Sequence, residues 1–303
     1  MIEKPTVLVL GAGASAHCGY PLGGQLVARL CALRGTPELD ALPEGWGRDT
    51  AEAFLTRLSR SGHYSIDAFL ETTPEHAPLG KYLIAREMKT HEMLDGLFPP
   101  NHSGWYQYLF NALLAPNGRP QFSGNKLGII TFNYDRSLEA YLHAALQNRF
   151  RLDEAAAAEV LAALPIIHVH GILGDYPAIP YQTDCSTTEL LGISDQIQII
   201  SEIADQDEEF CNPMFRAGNA MLRGAERIFF LGFGFHPDNV RRFQFFLPEN
   251  VEGKLLRGTI FGVGSIDRAN LVARLVDAGF KDSDLPPDGT SCDNFFSHAV
   301  SLI

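Results

Sequence analysis

The residue types in this chain that could bind or transform a ligand occur in short clusters, and each cluster follows an apolar run. In chain order the clusters are Gly11-Ala12-Gly13-Ala14-Ser15, Asn133-Tyr134-Asp135, His170-Gly171, Gly232-Phe233-Gly234 and Gly264-Ser265. Glycines let a phosphate approach the main chain closely, an asparagine amide donates and accepts hydrogen bonds at once, and an imidazole can act as a general base near neutral pH. Brought together, these types would bind a phosphate-bearing ligand beside a polar group and a base.

The first cluster has the spacing of a nucleotide-binding turn. Thr6–Leu10 predicts a buried parallel strand, and the residues after it fit the dinucleotide pattern G-x-G-x-x-G/A with Ala16 in the last place. A helix predicted over Pro21–Leu30 would direct its N–H groups toward a phosphate. The alternative is a tight turn that only joins a core strand to a helix. Cys31–Thr50 has no strand pattern that ends in an acidic residue, so a dinucleotide bound here is not held as in NAD-dependent dehydrogenases.

The elements that must position these clusters alternate between strands and helices. Strands are predicted at Thr6–Leu10, Lys126–Phe132, Pro165–His170, Ile228–Leu231 and Thr259–Val263, and later helices at Ser137–Leu146, Cys211–Leu222 and Arg268–Ala278. This alternation favours an α/β fold, in which a Rossmann-like, mostly parallel sheet is wound by helices on both faces. Ligands bind at the carboxyl ends of such strands, so the clusters should converge there. Strand alternation would also place His168 and His170 on the same face.

Residues 37–119 have a different pattern, without strand character. Helices are predicted at Ala51–Arg60, Ser65–Glu71, Tyr82–Leu97 and Trp105–Leu114, with turn residues between them. We interpret this segment as an inserted helical module. The sheet domain would then comprise residues 1–36 and 120–303.

Composition restricts the class of protein. The 303 residues are 46% hydrophobic and 20% charged, which is typical of a globular chain. The formal charge is −12 and there is no basic run, so direct binding to nucleic acid is not expected. No apolar run has membrane-spanning length and the first residues do not resemble a signal peptide, so a cytoplasmic protein without membrane contact is expected.

The cysteines provide no metal or disulfide pattern. Cys18, Cys31, Cys185, Cys211 and Cys292 are odd in number and widely spaced, without a C-x-x-C pair. Cys18 follows the glycine turn and could be a thiolate nucleophile. The alternative is that it is a small buried packing residue.

The clusters, in their order, resemble a known family. Gly11-Ala12-Gly13-Ala14-Ser15, then Thr131-Phe132-Asn133-Tyr134-Asp135, then His170-Gly171 are similar to the NAD-binding signatures of the sirtuin (SIR2) superfamily. Ser65–Glu71 and the stretch from Gly232 to Asn239 resemble the SIR2-like branch of bacterial antiphage-defence proteins. Sirtuin deacylases carry a four-cysteine zinc ribbon between the His-Gly element and the late glycine loop, whereas this chain has only Cys185 and Cys211 between Gly171 and Gly232. The resemblance therefore implies the branch without zinc.

The resemblance implies that NAD is a substrate. Asn133 would orient the nicotinamide and the ribose, and His170 would be the general base that acts on a ribose hydroxyl or a water. Asp135 would contact the nicotinamide side or, alternatively, cap the following helix. Asp238 and Asn239 would contact a ribose or only close a turn.

Further residues would bind the rest of NAD. The pyrophosphate would be bound by Ser15 and by the N–H groups of Gly13 and Ala14, and the adenosine half would be lined by Gly232, Gly234 and Gly264. The remaining candidates for NAD binding are Gly11, Ala12, Thr131, Phe233 and Ser265.

The resemblance, together with the missing zinc-ribbon cysteines, leaves three possible functions. The leading hypothesis is an NAD hydrolase that releases nicotinamide and ADP-ribose and acts in antiphage defence by NAD depletion. A second is a subunit of a defence complex that binds NAD or ADP-ribose, or serves in assembly, without catalysis. A third is an NAD-dependent protein deacylase or ADP-ribosyltransferase. The implied partners are further copies of the chain and a second defence protein that acts as sensor or activator.

Overall fold

The computed structural model describes residues 1–100, 104–199, 213–235, 239–240, 243, 245, 247–260, 265–277, 290–298 and 301–303. Within these residues a parallel sheet is formed by the strands β1 (Thr6–Leu10), β2 (Leu127–Thr131), β3 (Ile166–His168), β4 (Arg227–Leu231) and β5 (Leu255–Gly258). Their order across the sheet is β3-β2-β1-β4-β5. The chain builds the sheet outward on one side of β1 and then returns to the other side. The carboxyl ends of β1 and β4 therefore form the topological switch point.

Successive residues of β1 face opposite sides of the sheet, and each side has its own apolar cluster. Leu8 and Leu10 belong to one cluster, while Val7 and Val9 belong to the other. All residues of β1 are buried, as is typical of a parallel strand between two layers of helices. The predicted Rossmann-like, doubly wound α/β fold is thereby confirmed.

Helices cover both faces and connect the strands. Those before β2 are α1 (Gly23–Ala32), α2 (Arg48–Arg60), α3 (Ile66–Glu71), α4 (Ala77–Lys89), α5 (Leu94–Leu97) and α6 (Trp105–Leu113). The later ones are α7 (Ser137–Phe150), α8 (Glu154–Ala162), α9 (Thr187–Ser194), α10 (Pro213–Gly224), α11 (Pro248–Val251), α12 (Ser265–Asp277) and α13 (Cys292–His298). Within the described ranges, no helix has the length and apolar character needed to cross a membrane.

The helical segment 37–119 contains α2 to α6 and, in its described part, no strand. Its largest buried side chains, Phe54, Tyr82 and Trp105, lie in the same apolar cluster as Leu8 and Leu10 of β1. The segment therefore covers one face of the sheet and shares its core with it.

The helix predicted over Tyr82–Leu97 is wrong in its extent. The structure has α4 up to Lys89, a turn, and the short α5. Within this turn Glu92 is only 2% exposed, and its carboxylate lies 2.6 Å from the buried guanidinium of Arg136. A carboxylate is rarely buried without a partner, so we attribute the turn to this inward ion pair.

Two predicted strands differ from the structure. β3 ends at His168, two residues earlier than predicted, because the chain turns before Gly171, which has a φ of +78°. The last strand is found at Leu255–Gly258, whereas it was predicted at Thr259–Val263, of which residues 261–263 lie outside the described residues. β5 is an edge strand whose Leu255 is exposed, so it lacks the continuous apolar run of a central strand.

Candidate functional site

A cavity of about 670 Å³ lies at the carboxyl ends of the strands, within the range of roughly 300–1,000 Å³ of small-molecule sites. The predicted site residues that line it are Gly11, Ala12, Gly13, Ser15, Asn133, Asp135, His170, Gly232, Phe233, Gly234 and Asn239. Ala14 and Thr131 are buried and are not among its lining residues. Asp238 and Gly264 lie outside the described residues, and Ser265 begins α12.

The glycine turns after β1 and β4 are in direct main-chain contact. Gly232 has a φ of +58°, and a Cβ there would lie 2.1 Å from the nitrogen of Ala14. A Cβ on Gly11 would lie 2.6 Å from the oxygen of Gly232. Real side-chain atoms do not approach main-chain atoms this closely, so both positions require glycine. The glycine spacing thus has a structural cause at the switch point, as well as any role toward a ligand.

The main-chain N–H groups that were predicted to bind pyrophosphate donate hydrogen bonds within these glycine turns. The N–H of Gly13 donates to the oxygen of Gly232 at 3.0 Å, and the N–H of Ala14 donates to the oxygen of Gly11 at 2.8 Å. Both N–H groups thus stabilise the turns, and their binding to a pyrophosphate stays a prediction. Two 3₁₀ turns, Ala12–Ala14 and Ala16–Cys18, follow β1, and α1 begins only at Gly23. Gly23 also lines the cavity, so the positive end of α1 borders it.

Asn133 is held in one orientation by two hydrogen-bond acceptors. Its Nδ2 donates to the oxygen of Gly11 at 3.0 Å and to Oγ of Ser15 at 3.3 Å. Ser15 Oγ gives its own hydrogen to Asp135 at 2.7 Å. Both neighbours of the amide nitrogen thus accept, which assigns the nitrogen to that side. Oδ1 of Asn133 receives no hydrogen bond from the described part of the chain, and the side chain offers the cavity an acceptor.

Asp135 is the common acceptor of a buried polar network. It is 5% exposed and accepts from the hydroxyls of Ser15 and Ser137 and, at 3.1 Å, from the N–H of Ser137 at the start of α7. Tyr106 of α6 lies 2.6 Å from the Ser137 hydroxyl. Burial raises the pKa of Asp135, and the hydrogen bonds from Ser137 and Ser15 oppose this in part. The N-cap position of α7 is occupied by Arg136, so the helix-capping alternative for Asp135 is wrong. Asp135 lies one residue earlier and accepts from the first N–H of the helix.

His170 lines the cavity at the end of the β3 region. Its side chain is 5% exposed and lies edge-on to the ring of Phe132, with centroids 5.5 Å apart. The next residue is restricted to glycine, because a Cβ on Gly171 would lie 1.9 Å from the oxygen of Gln196. Gly171 itself forms an isolated antiparallel bridge with Ile197. The His-Gly pair thus combines a ring at the cavity with a turn that needs glycine.

His168 does not share a face with His170, contrary to the alternation argument. The strand ends at His168, and its ring turns toward α7, where Nε2 lies 2.7 Å from Glu139. Its Nδ1 lies 3.0 Å from the main-chain oxygen of Asn133. His168 therefore binds elements behind the cavity, while His170 borders the cavity itself.

Part of the cavity wall comes from segments that the sequence clusters do not include. Ser65, Asp67 and Glu71 on or beside α3 line it, as do Ser291 and Asp293 near the start of α13. The sequence predicted a helix at Ser65–Glu71, but only its resemblance to the SIR2-like branch linked it to the site, and nothing marked Ser291 or Asp293. Among the described lining residues four have carboxyl groups and none is Lys or Arg, so the wall is acidic.

The cysteine alternative is not supported by the surroundings of Cys18. The thiol is buried, and burial together with the charges of Asp135 and Asp293 raises its pKa far above the ordinary value. Cys292 lines the cavity, and burial raises its pKa to about 12. Neither group would be a thiolate at neutral pH. Among the described residues, no group of three or more His, Cys, Asp or Glu side chains could hold a metal ion.

No protein-family model and no curated protein matches this chain. The geometry of the cavity and the order of the sequence motifs are therefore the observations on which a function can be based.

Proposed function

We propose that this chain hydrolyses NAD to nicotinamide and ADP-ribose, with Asn133 and His170 at the reacting bond. One observation carries the proposal: a single cavity at the switch point is bordered by both glycine turns, by Asn133 and by His170. Doubly wound sheets bind nucleotides at this place. The motif order that resembles the sirtuin superfamily supports NAD as the nucleotide.

The chemistry of NAD fits these side chains. The bond between ribose and nicotinamide breaks through a transition state that resembles an oxocarbenium ion. In NAD the nicotinamide ring is a cationic pyridinium, and it becomes a neutral molecule when the bond breaks. No acid is therefore needed to protonate the leaving group. The remaining tasks are to orient the ribose and to activate water or a ribose hydroxyl. Oδ1 of Asn133 would accept a hydrogen bond from that group, and the imidazole of His170 would remove its proton.

The charge of the cavity wall supports a cationic reacting centre. Asp67, Asp135 and Asp293 each accept a hydrogen bond from the protein, from Tyr134, Ser15 and the N–H of Trp105 respectively. Oriented negative charge stabilises positive charge that develops in a transition state. None of the described lining residues is Lys or Arg, so the charged side chains at the cavity wall are mainly acidic.

The proposed setting follows from the same resemblance. The chain would act in the cytoplasm as an antiphage effector that depletes NAD. It would assemble with further copies of itself and with a second defence protein that senses infection. A net charge of −12 is compatible with protein partners rather than nucleic acid.

A non-catalytic subunit that binds NAD or ADP-ribose is the second candidate. The observation that favours it is the internal use of donors: the N–H groups of Gly13 and Ala14 and the hydroxyl of Ser15 all bond within the protein. Fewer donors then remain for the pyrophosphate. A reacting substrate must be held in one position by such donors, whereas a nucleotide that is only bound need not be.

The decisive experiment quantifies products. The protein is incubated with NAD, with and without an acyl-lysine peptide, and nicotinamide and ADP-ribose are measured alongside NAD binding. Equal amounts of both products without peptide support the hydrolase. Binding without products, also in phage-infected cells, overturns it in favour of the binding subunit, and peptide-dependent turnover overturns it in favour of a deacylase.

A further inference from the structure

His168 connects three elements behind the cavity. It is the last residue of β3, it pairs in register with Thr131 of β2, and its side chain is 10% exposed. One ring nitrogen, Nδ1, lies 3.0 Å from the main-chain oxygen of Asn133, and the other lies 2.7 Å from the carboxylate of Glu139 on α7. Glu139 is also buried, with its side chain 11% exposed.

The chemistry of these partners determines the protons on the ring. A carbonyl oxygen only accepts, so Nδ1 must donate to Asn133. A carboxylate also accepts, so Nε2 donates as well when the ring is charged. Burial lowers the pKa of His168, but the charge and hydrogen bond of Glu139, the Asn133 carbonyl and the charge of Asp135 together raise it above the ordinary value. A charged ring would give two strong hydrogen bonds in a buried place.

We propose that His168 is a positioning residue for NAD hydrolysis, held by Glu139, that fixes the main chain of Asn133 and thereby the place of its amide. This inference rests on the proposed function. His168 lies two residues before His170, so the same side chain anchors the turn that carries the general base to the turn that carries the amide. Displacement of a reacting group by about 1 Å can lower a rate about 100-fold.

Two substitutions separate the two bonds of the ring. The amide nitrogen of asparagine corresponds in position to Nδ1 of histidine, and that of glutamine corresponds to Nε2. His168→Asn, combined with Glu139→Gln so that no carboxylate is left buried alone, keeps the donor to Asn133. His168→Gln keeps the bond to Glu139 and loses the donor to Asn133. We expect kcat to fall about 100-fold in His168→Gln and by less than about 10-fold in the double variant, with KM nearly unchanged in both.

The control variant is His143→Gln. His143 lies on the same helix as Glu139, is 4% exposed, and contacts Tyr176 and the oxygen of Glu154 rather than the cavity. The His143→Gln variant measures how much kcat changes when a buried histidine away from the cavity is lost. Its kcat should stay within about threefold of the wild type, with all variants compared at equal folded fraction by circular dichroism.

A second measurement does not depend on turnover. Ring-nitrogen NMR shifts of His168 in the full chain, assigned with the variants, should give two protonated nitrogens at neutral pH. An unprotonated Nε2 there overturns the charged pair even if NAD is hydrolysed. Equal kcat losses in His168→Gln and His143→Gln, or none in either, overturn the positioning role. If the wild type releases no nicotinamide in the assay or in phage-infected cells, the proposed function fails, and the NMR result still decides the charge of the pair.

Discussion

The side-chain nitrogen of Asn133 donates to the main-chain oxygen of Gly11 over 3.0 Å, which ties the turn after β2 to the turn after β1. The same nitrogen donates to Ser15, whose hydrogen goes to Asp135. The amide is thus oriented by the folded chain before any ligand binds, and its oxygen is the atom that remains for a substrate. Such preorganisation favours a site that performs chemistry.

Asn133→Asp tests this tie directly. A carboxylate has the size of the amide but cannot donate to the oxygen of Gly11, so two acceptors would face each other. We expect the free energy of unfolding to fall by about 1–3 kcal/mol at neutral pH. Urea unfolding provides the measurement, with Asn148→Asp as the control, because Asn148 is exposed and its amide donates to the oxygen of Ala144 in its own helix. Equal stability of the two variants would contradict the tie.

The contact between the glycine turns predicts a contrast within one loop. An alanine at Gly232 would need a positive φ and would place its Cβ 2.1 Å from Ala14, whereas a Cβ at Gly234 would have no atom within 4 Å. Gly232→Ala should lower the free energy of unfolding by about 3 kcal/mol or more, and Gly234→Ala by less than about 0.5 kcal/mol. Chemical unfolding of both variants measures these changes. If Gly232→Ala leaves the free energy of unfolding unchanged, the close contact between the two turns does not contribute to stability.

The raised pKa of Asp135 predicts how stability depends on pH. A carboxyl whose pKa is raised by burial contributes stability when protonated and loses it as pH rises through its folded pKa. Asp135→Asn does not titrate there. The free energy of unfolding of the wild type minus that of Asp135→Asn should therefore decrease as pH rises from about 4, the ordinary aspartate value, and then become constant. Unfolding curves across this range give the difference, which must not increase with pH.

The hydrogen bond from Tyr134 to Asp67 predicts coupling between the helical segment and the β2 turn. Asp67 lies on α3 and lines the cavity, and Tyr134 is the neighbour of Asn133. A double-mutant cycle with Tyr134→Phe and Asp67→Asn should give a coupling energy above about 0.5 kcal/mol in unfolding. Each single variant should also lower kcat for NAD. Additive effects on stability would indicate that the helical segment does not support the turn.

The sheet was predictable because its central strands are buried on both faces. Each of the three central strands contains a run of apolar residues: β1 over Val7–Leu10, β2 at Ile129-Ile130 and β4 over Ile228–Leu231. Once the strands are parallel, clusters at their carboxyl ends must meet at one edge. β5 was misplaced because an edge strand with exposed Leu255 and a charged Arg257 lacks that run.

The finer structure of the site depends on partners distant in sequence. The N–H of Gly13 is used because Gly232, which is distant in sequence, accepts its hydrogen bond, and no local pattern near Gly13 encodes that contact. His168 leaves the face of His170 because Glu139 accepts its hydrogen bond from a neighbouring helix. The acidic wall from Asp293 is likewise a tertiary effect.

The measurement that tests the central claim most directly is nicotinamide release from NAD by the wild type, Asn133→Ala and His170→Ala. All three must be folded by circular dichroism and be assayed at high protein concentration and in phage-infected cells. We predict one ADP-ribose for each nicotinamide in the wild type, and a loss of at least about 100-fold in each variant. Undiminished release by either folded variant, or NAD binding without release by the wild type in infected cells, would contradict a hydrolytic site at these two strand ends.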